Sequence, residues 1–147
     1  MIRIAAMAFC LPGMALAQEV SPCDDYRSSA FAIAEPWDAN TRLFAKGEVR
    51  LAVTDTIEPA AGAFHLVILS PPYDEVGGRR CALISAEGGI GFGSLTLDGM
   101  TAAYDPAVGL QFRLTAKRWL PDTDSYADAT LNVTLNQATG AVTARLE

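Results

Sequence analysis

The chain has 147 residues, half of them hydrophobic, with 11 Lys+Arg against 17 Asp+Glu and a net charge of −6. That balance excludes the clustered cations a nucleic-acid binder needs, and so much apolar material excludes a wholly disordered chain. Beyond the first residues no run approaches the 18 or more apolar residues of a membrane span, so the exported chain is expected to be soluble with no span.

Residues 1–17 read as a secretory signal peptide. Met1-Ile2-Arg3 is a short basic start, Ile4 to Leu11 an apolar run, Pro12-Gly13 a break, and Ala15-Leu16-Ala17 the small residues of a cleavage site before Gln18. Cleavage there leaves residues 18–147 as a single β-domain, 147 − 17 = 130 residues. Cys10 leaves with the leader, and the remaining pair, Cys23 and Cys81, is expected to form a structural disulfide in a periplasmic or secreted protein.

Ser21-Pro22-Cys23-Asp24 has the composition of a helix start, and Tyr26, Ala30 and Ile33 keep roughly helical spacing, so a short helix is predicted over 22–34, ending before Pro36. A coil pinned by Cys23 is the alternative. After Pro36 the period becomes two. Val49, Leu51 and Val53 alternate with Arg50, Ala52 and Thr54, as in a strand with one wet face. Phe64 to Leu69 is apolar except at His65, which predicts a strand covered on both faces. Pro71 to Arg79 forms the longest loop, and residues 80–86 return as a strand.

Gly88-Gly89-Ile90-Gly91-Phe92-Gly93 has neither the following helix nor the Lys of a phosphate-binding loop and reads as a turn with a close approach at Gly93. Asp98-Gly99 is a strong two-residue hairpin signal. It pairs Leu97 with Met100, Leu95 with Ala102 and Gly93 with Tyr104. A three-residue loop with Gly109 as its left-handed residue, a G1 bulge, then pairs Tyr104 with Phe112, giving a meander of 92–97, 100–105 and 110–117 in which Tyr104 covers Gly93. At the C-terminus a four-residue loop, 137–140, pairs Leu135 with Val142, Val133 with Ala144 and Leu131 with Leu146. The fold class is therefore all-β and mainly antiparallel. It is an approximately eight-stranded meander forming a sandwich or an up-and-down barrel, with one short N-terminal helix.

His65 is the single histidine of the chain, which excludes multi-histidine metal sites. A hydrolase would have to use it with Ser70 or Ser85, neither set in a nucleophile elbow, or use an acidic pair such as Asp122 and Asp124. Sharing a face with Val67 and Leu69 makes it a hydrogen-bonded or half-exposed strand histidine instead. Asp122, Asp124 and Asp128 have a spacing that suits calcium, but the Gly and distal Glu of an EF-hand loop are absent. The sequon Asn132-Val133-Thr134 lies within a strand. No metal or other cofactor is expected. The loop residues Trp37, Tyr73, Asp74, Glu75, Arg79, Arg80 and Trp119 are the candidate contact surface. The reading is an exported, non-catalytic β-domain that binds a protein or other envelope or extracellular macromolecule. The alternative is a closed barrel around a small apolar ligand, and a small hydrolase comes third.

Overall fold

A computed structural model describes residues 16–147, of which Leu16–Ala17 form the first strand. The signal-peptide reading falls largely on residues 1–15, outside the described residues. In chain order the strands are β1 (Leu16–Ala17), β2 (Glu19–Pro22), β3 (Thr41–Phe44), β4 (Val49–Asp55), β5 (Phe64–Ser70), β6 (Arg80–Ser85), β7 (Ser94–Asp105), β8 (Gly109–Leu120), β9 (Ser125–Asn136) and β10 (Ala141–Leu146). Among the described residues one four-residue α-helix, α1 (Trp37–Asn40), precedes β3.

The strands form two antiparallel five-stranded sheets, β1-β10-β9-β8-β7 and β2-β6-β5-β4-β3. Their facing sides share one core. Val49, Leu51, Val53, Leu66, Ile68 and Ile84 from one sheet meet Leu95, Phe112, Leu114, Leu131, Val133 and Leu135 from the other. The all-β, antiparallel expectation holds, and the architecture is a sandwich. The closed barrel of the alternative reading does not form, because each sheet keeps its own two edges.

Local pattern decided the C-terminal hairpin. Leu135 pairs with Val142, Val133 with Ala144 and Leu131 with Leu146, as the alternation requires. On β8 the inward set Leu110, Phe112, Leu114 and Ala116 is buried while Arg113, Thr115 and Lys117 are exposed.

The Asp98-Gly99 hairpin is overturned. Residues 94–105 are one strand, and both of its halves pair with β8. Between Thr96↔Thr115 and Thr101↔Arg113, residues 97–100 stand against the single residue Leu114, a wide bulge. Gly99 takes φ 67°, but Asp98 is not among the residues of positive φ, so the type I′ turn is absent. Pairing along the whole length of β8 outweighs a two-residue turn preference. The bulge places Leu97 in the core at 2% exposure. The following turn is 106–108 and excludes Gly109, which pairs with Asp105 instead of ending the loop, so the register sets Ala102, not Tyr104, opposite Phe112. Tyr104 is 63% exposed, and Tyr126 covers Gly93 in its place. A Cβ at Gly93 would lie 2.1 Å from the Tyr126 ring, whose hydroxyl donates to the Ala60 carbonyl and whose edge meets Trp119 at 5.0 Å.

The predicted helix over 22–34 is also corrected. Glu19–Pro22 pairs with β6, and the chain then makes two 3₁₀ turns, Tyr26–Ser28 and Ala30–Ala32. Cys23 is bonded to Cys81 with their Cα atoms 5.5 Å apart, which holds this chain against the sheet. At the far end Ile33 bridges Thr54, and Ala34 N–H donates to the Val53 carbonyl at 3.0 Å. Anchored to β6 at one end and β4 at the other, the segment is a strap across the outer face of its sheet. The pinned coil describes it better than the helix. The strap also removes the wet face expected of β4: Ala52 is 6% exposed and Thr54 0%, while Arg50 alone remains outside.

Candidate functional site

The strap is locked by its own polar groups. Asp25 caps the first 3₁₀ turn by accepting from Arg27 N–H at 2.9 Å, and its carboxylate also accepts from Arg27 Nη2 at 2.6 Å. That side-chain bond with Arg27 holds the Asp25 carboxyl below the usual carboxylate range. Arg27 Nη1 in turn donates to the Gly89 carbonyl at 3.0 Å, and Gly89 N–H donates to Glu19 Oε2 at 2.6 Å. The glycine-rich turn is thus fastened to the strap by its backbone. Its glycines serve close contact: a Cβ at Gly91 would lie 2.3 Å from the Phe64 carbonyl oxygen.

Beneath the strap, alternation gives the outer face of β4, β5 and β6 to one set of residues. The register places Arg50 beside Leu69 and Cys81, Ala52 beside Val67 and Leu83, and Thr54 beside His65. His65 is fully buried, and its Nδ1 lies 2.9 Å from Ser85 Oγ, itself 0% exposed. Burial pushes the imidazole down to about 4, and the nearby Arg27 charge adds to the effect, so the ring is neutral at neutral pH. Structure thus brings His65 to Ser85, one of the two serines considered from sequence. The pair is sealed beneath the strap, and the Asp25 carboxylate is engaged by Arg27. Its evident role is to satisfy two buried polar groups.

The strap does not cover the whole face. Between it and β3–β5 runs a groove of about 370 Å³, walled by Ile33, Trp37, Leu43, Val67 and Leu69. Arg50 lines its exposed end, and the buried Thr54 lines it further in. The Thr54 hydroxyl has no hydrogen-bond partner. Three exposed aromatics, Tyr26, Phe31 and Trp37, belong to the same stretch of chain, with Phe31 80% exposed.

Six of the seven candidate contact residues line three different cavities. Trp37 walls the groove. Tyr73, Asp74, Arg79 and Arg80 line a second cavity of about 250 Å³ in the β5–β6 loop. Asp74 Oδ1 accepts from Val76 N–H and Gly78 N–H, which shapes that loop. The Tyr73 hydroxyl donates to the Glu48 carboxylate, and this bond raises its pKa. Glu75 is exposed in the same loop. Trp119 lines a third cavity with Glu87, Ile90 and Pro121. Leu43, Arg50 and Thr54 were not singled out from sequence as site residues. The signal available was the covered-strand run at 64–69, which demanded a second cover for that sheet.

Asp122 and Asp124 lie in the turn that follows Leu120↔Ser125, whereas Asp128 is inside β9 with its carboxylate 3.8 Å from Lys117 Nζ. Among the described residues no group of three or more potential metal ligands gathers. Asn132 of the sequon pairs with Arg113 and Arg145 in the middle of its sheet.

Fold and groove define a disulfide-pinned antiparallel β-sandwich with a strapped outer face. Comparison with known families, curated proteins and solved structures finds no match to this chain.

Proposed function

We propose that this protein is an exported, non-catalytic recognition domain that holds an apolar part of an envelope or extracellular component in the groove beneath its strap. The observation that carries the reading is the groove itself. Its volume of about 370 Å³ and its walls of Ile33, Trp37, Leu43, Val67 and Leu69 match the size and character of ordinary ligand sites, which are mostly apolar with a few placed polar groups. The sealing of Ser85 and His65 beneath the strap favours binding over turnover, because a reacting group must meet its substrate. The disulfide accords with a periplasmic or secreted location, where such bonds persist. No helix among the described residues is long and apolar enough to cross a membrane.

Titration with phenylnaphthylamine, a dye that fluoresces in apolar sites, tests the reading. The oxidised protein should take it up saturably. Ala52→Phe, which fills the groove floor, and Leu43→Glu, which charges its exposed rim, should each weaken uptake at least tenfold. No saturable uptake, or uptake indifferent to both substitutions, would refute it.

A further inference from the structure

Resting on the groove reading above, we infer that the occupant is an aliphatic carboxylate bearing a second polar group at the far end of its chain, with the acid on Arg50 and that second group at Thr54. Three observations meet here. First, Arg50 is a cation without a counter-charge. Among the described residues the ion pairs are Arg27–Asp25 and Lys117–Asp128, and the Arg50 guanidinium makes neither an ion pair nor a hydrogen bond to another described residue. In a chain of net charge −6 an unneutralised guanidinium at the rim of an apolar groove is complementary to an anionic head.

Second, the Thr54 hydroxyl is buried at 0% exposure with no partner, and Thr54 lines the same groove. Buried polar atoms are nearly always hydrogen-bonded, so an orphan beside a cavity marks a place where a ligand atom completes the bond. The cross-strand neighbour of Thr54, His65, is engaged with Ser85. Third, the stretch between these two polar points is apolar. Arg50, Ala52 and Thr54 follow one another on the same face of β4, with Leu69 and Val67 alongside. Four residues of extended strand span about 13 Å, which a medium-length alkyl chain bridges. An apolar body alone would leave both polar groups unmet. A compact anion such as phosphate would leave the apolar walls unfilled.

The test uses the full oxidised protein and displacement of bound phenylnaphthylamine by three probes of equal chain length: decanol, decanoate and ω-hydroxydecanoate. Decanoate should displace the dye about tenfold more effectively than decanol, and ω-hydroxydecanoate several-fold better again. Arg50→Gln should remove the advantage of decanoate over decanol, and Arg50→Lys should restore part of it. Thr54→Val should remove the advantage of the hydroxylated chain over decanoate. Decanol equal to decanoate, or an Arg50→Gln protein indistinguishable from wild type, would overturn the acid head while the groove reading stands. Equal binding of the two acids, or no effect of Thr54→Val on their difference, would overturn the second polar contact. Failure of the dye itself to bind would remove both the groove reading and this inference.

Discussion

The two sheets solve the same burial problem differently. In the sheet β1-β10-β9-β8-β7 one face packs on the core and the other is left wet, so β8 reads as clean alternation from Leu110 to Lys117. In the sheet β2-β6-β5-β4-β3 the central strands are covered twice. Leu66 and Ile68 face the core, and Val67 and His65 face the strap. The second cover is only a single pinned length of chain, not a layer of helices or another sheet. A cover this thin seals His65 and Ser85 at one end and leaves a groove at the other. The difference teaches where a sandwich of this size leaves a groove: on the imperfectly covered outer face, because the residues between the sheets are buried against one another.

The largest expected effect lies in the shared core. Phe112→Ala, at a residue 1% exposed and packed 4.9 Å from the Phe44 ring, should destabilise the fold by about 3–5 kcal/mol in denaturant melts. A loss under about 1 kcal/mol would mean that the two sheets are not held together there.

The strap should come next. Replacing both Cys23 and Cys81 by Ala, or reducing the bond, releases a link between residues separated by 58 positions and should cost about 2–4 kcal/mol. Hydrogen exchange should then rise first over residues 23–34 and only later in β8 and β9. Uniform loosening of both sheets would contradict a strap that is a cover for one of them.

Acid should act on the same face. His65 titrates at about 4 in the fold against an ordinary 6.5, so between those pH values the unfolded chain binds the proton and the folded one does not. Stability therefore falls as pH drops from 6.5 toward 4, by up to about 3 kcal/mol, and this contribution levels off below that. His65→Gln should flatten the slope in that window. The depressed Asp25 carboxyl stabilises the fold above its ordinary 3.8, and that contribution is lost only at more acidic pH, as its pairing with Arg27 breaks. An unchanged slope in the variant would mean that His65 is not the titrating group.

Two smaller effects sharpen the account of the other sheet. Gly93→Ala should cost about 1–2 kcal/mol because its Cβ meets the Tyr126 ring, and Tyr126→Ala should relieve most of that cost in a double-mutant cycle. Tyr104→Ala should change stability by less than about 0.5 kcal/mol, as befits an exposed side chain on an edge strand. A large loss at Tyr104 would restore the sequence-based register in which that ring covers Gly93.

Much of the fold was legible in the sequence where the information is local. The alternation in residues 131–146 and a four-residue loop were enough to determine the β9–β10 register, since a slip of one residue would turn every apolar side chain outward. The compartment-dependent pairing of Cys23 with Cys81 and the double cover of Phe64–Leu69 were readable for similar reasons: composition states them without reference to distant chain. Tertiary structure alone decided the rest. Asp98-Gly99 became a bulge because twelve residues of β8 offered a continuous partner to both halves of β7. Residues 22–34 became a strap because a disulfide to β6 and backbone bonds to β4 fix both ends against a sheet assembled from distant strands. The groove is the product of that placement. Arg50 and Thr54 share one face of β4 by simple alternation, but Trp37, Leu43 and Val67 join them only because β-pairing and the strap bring separate segments together.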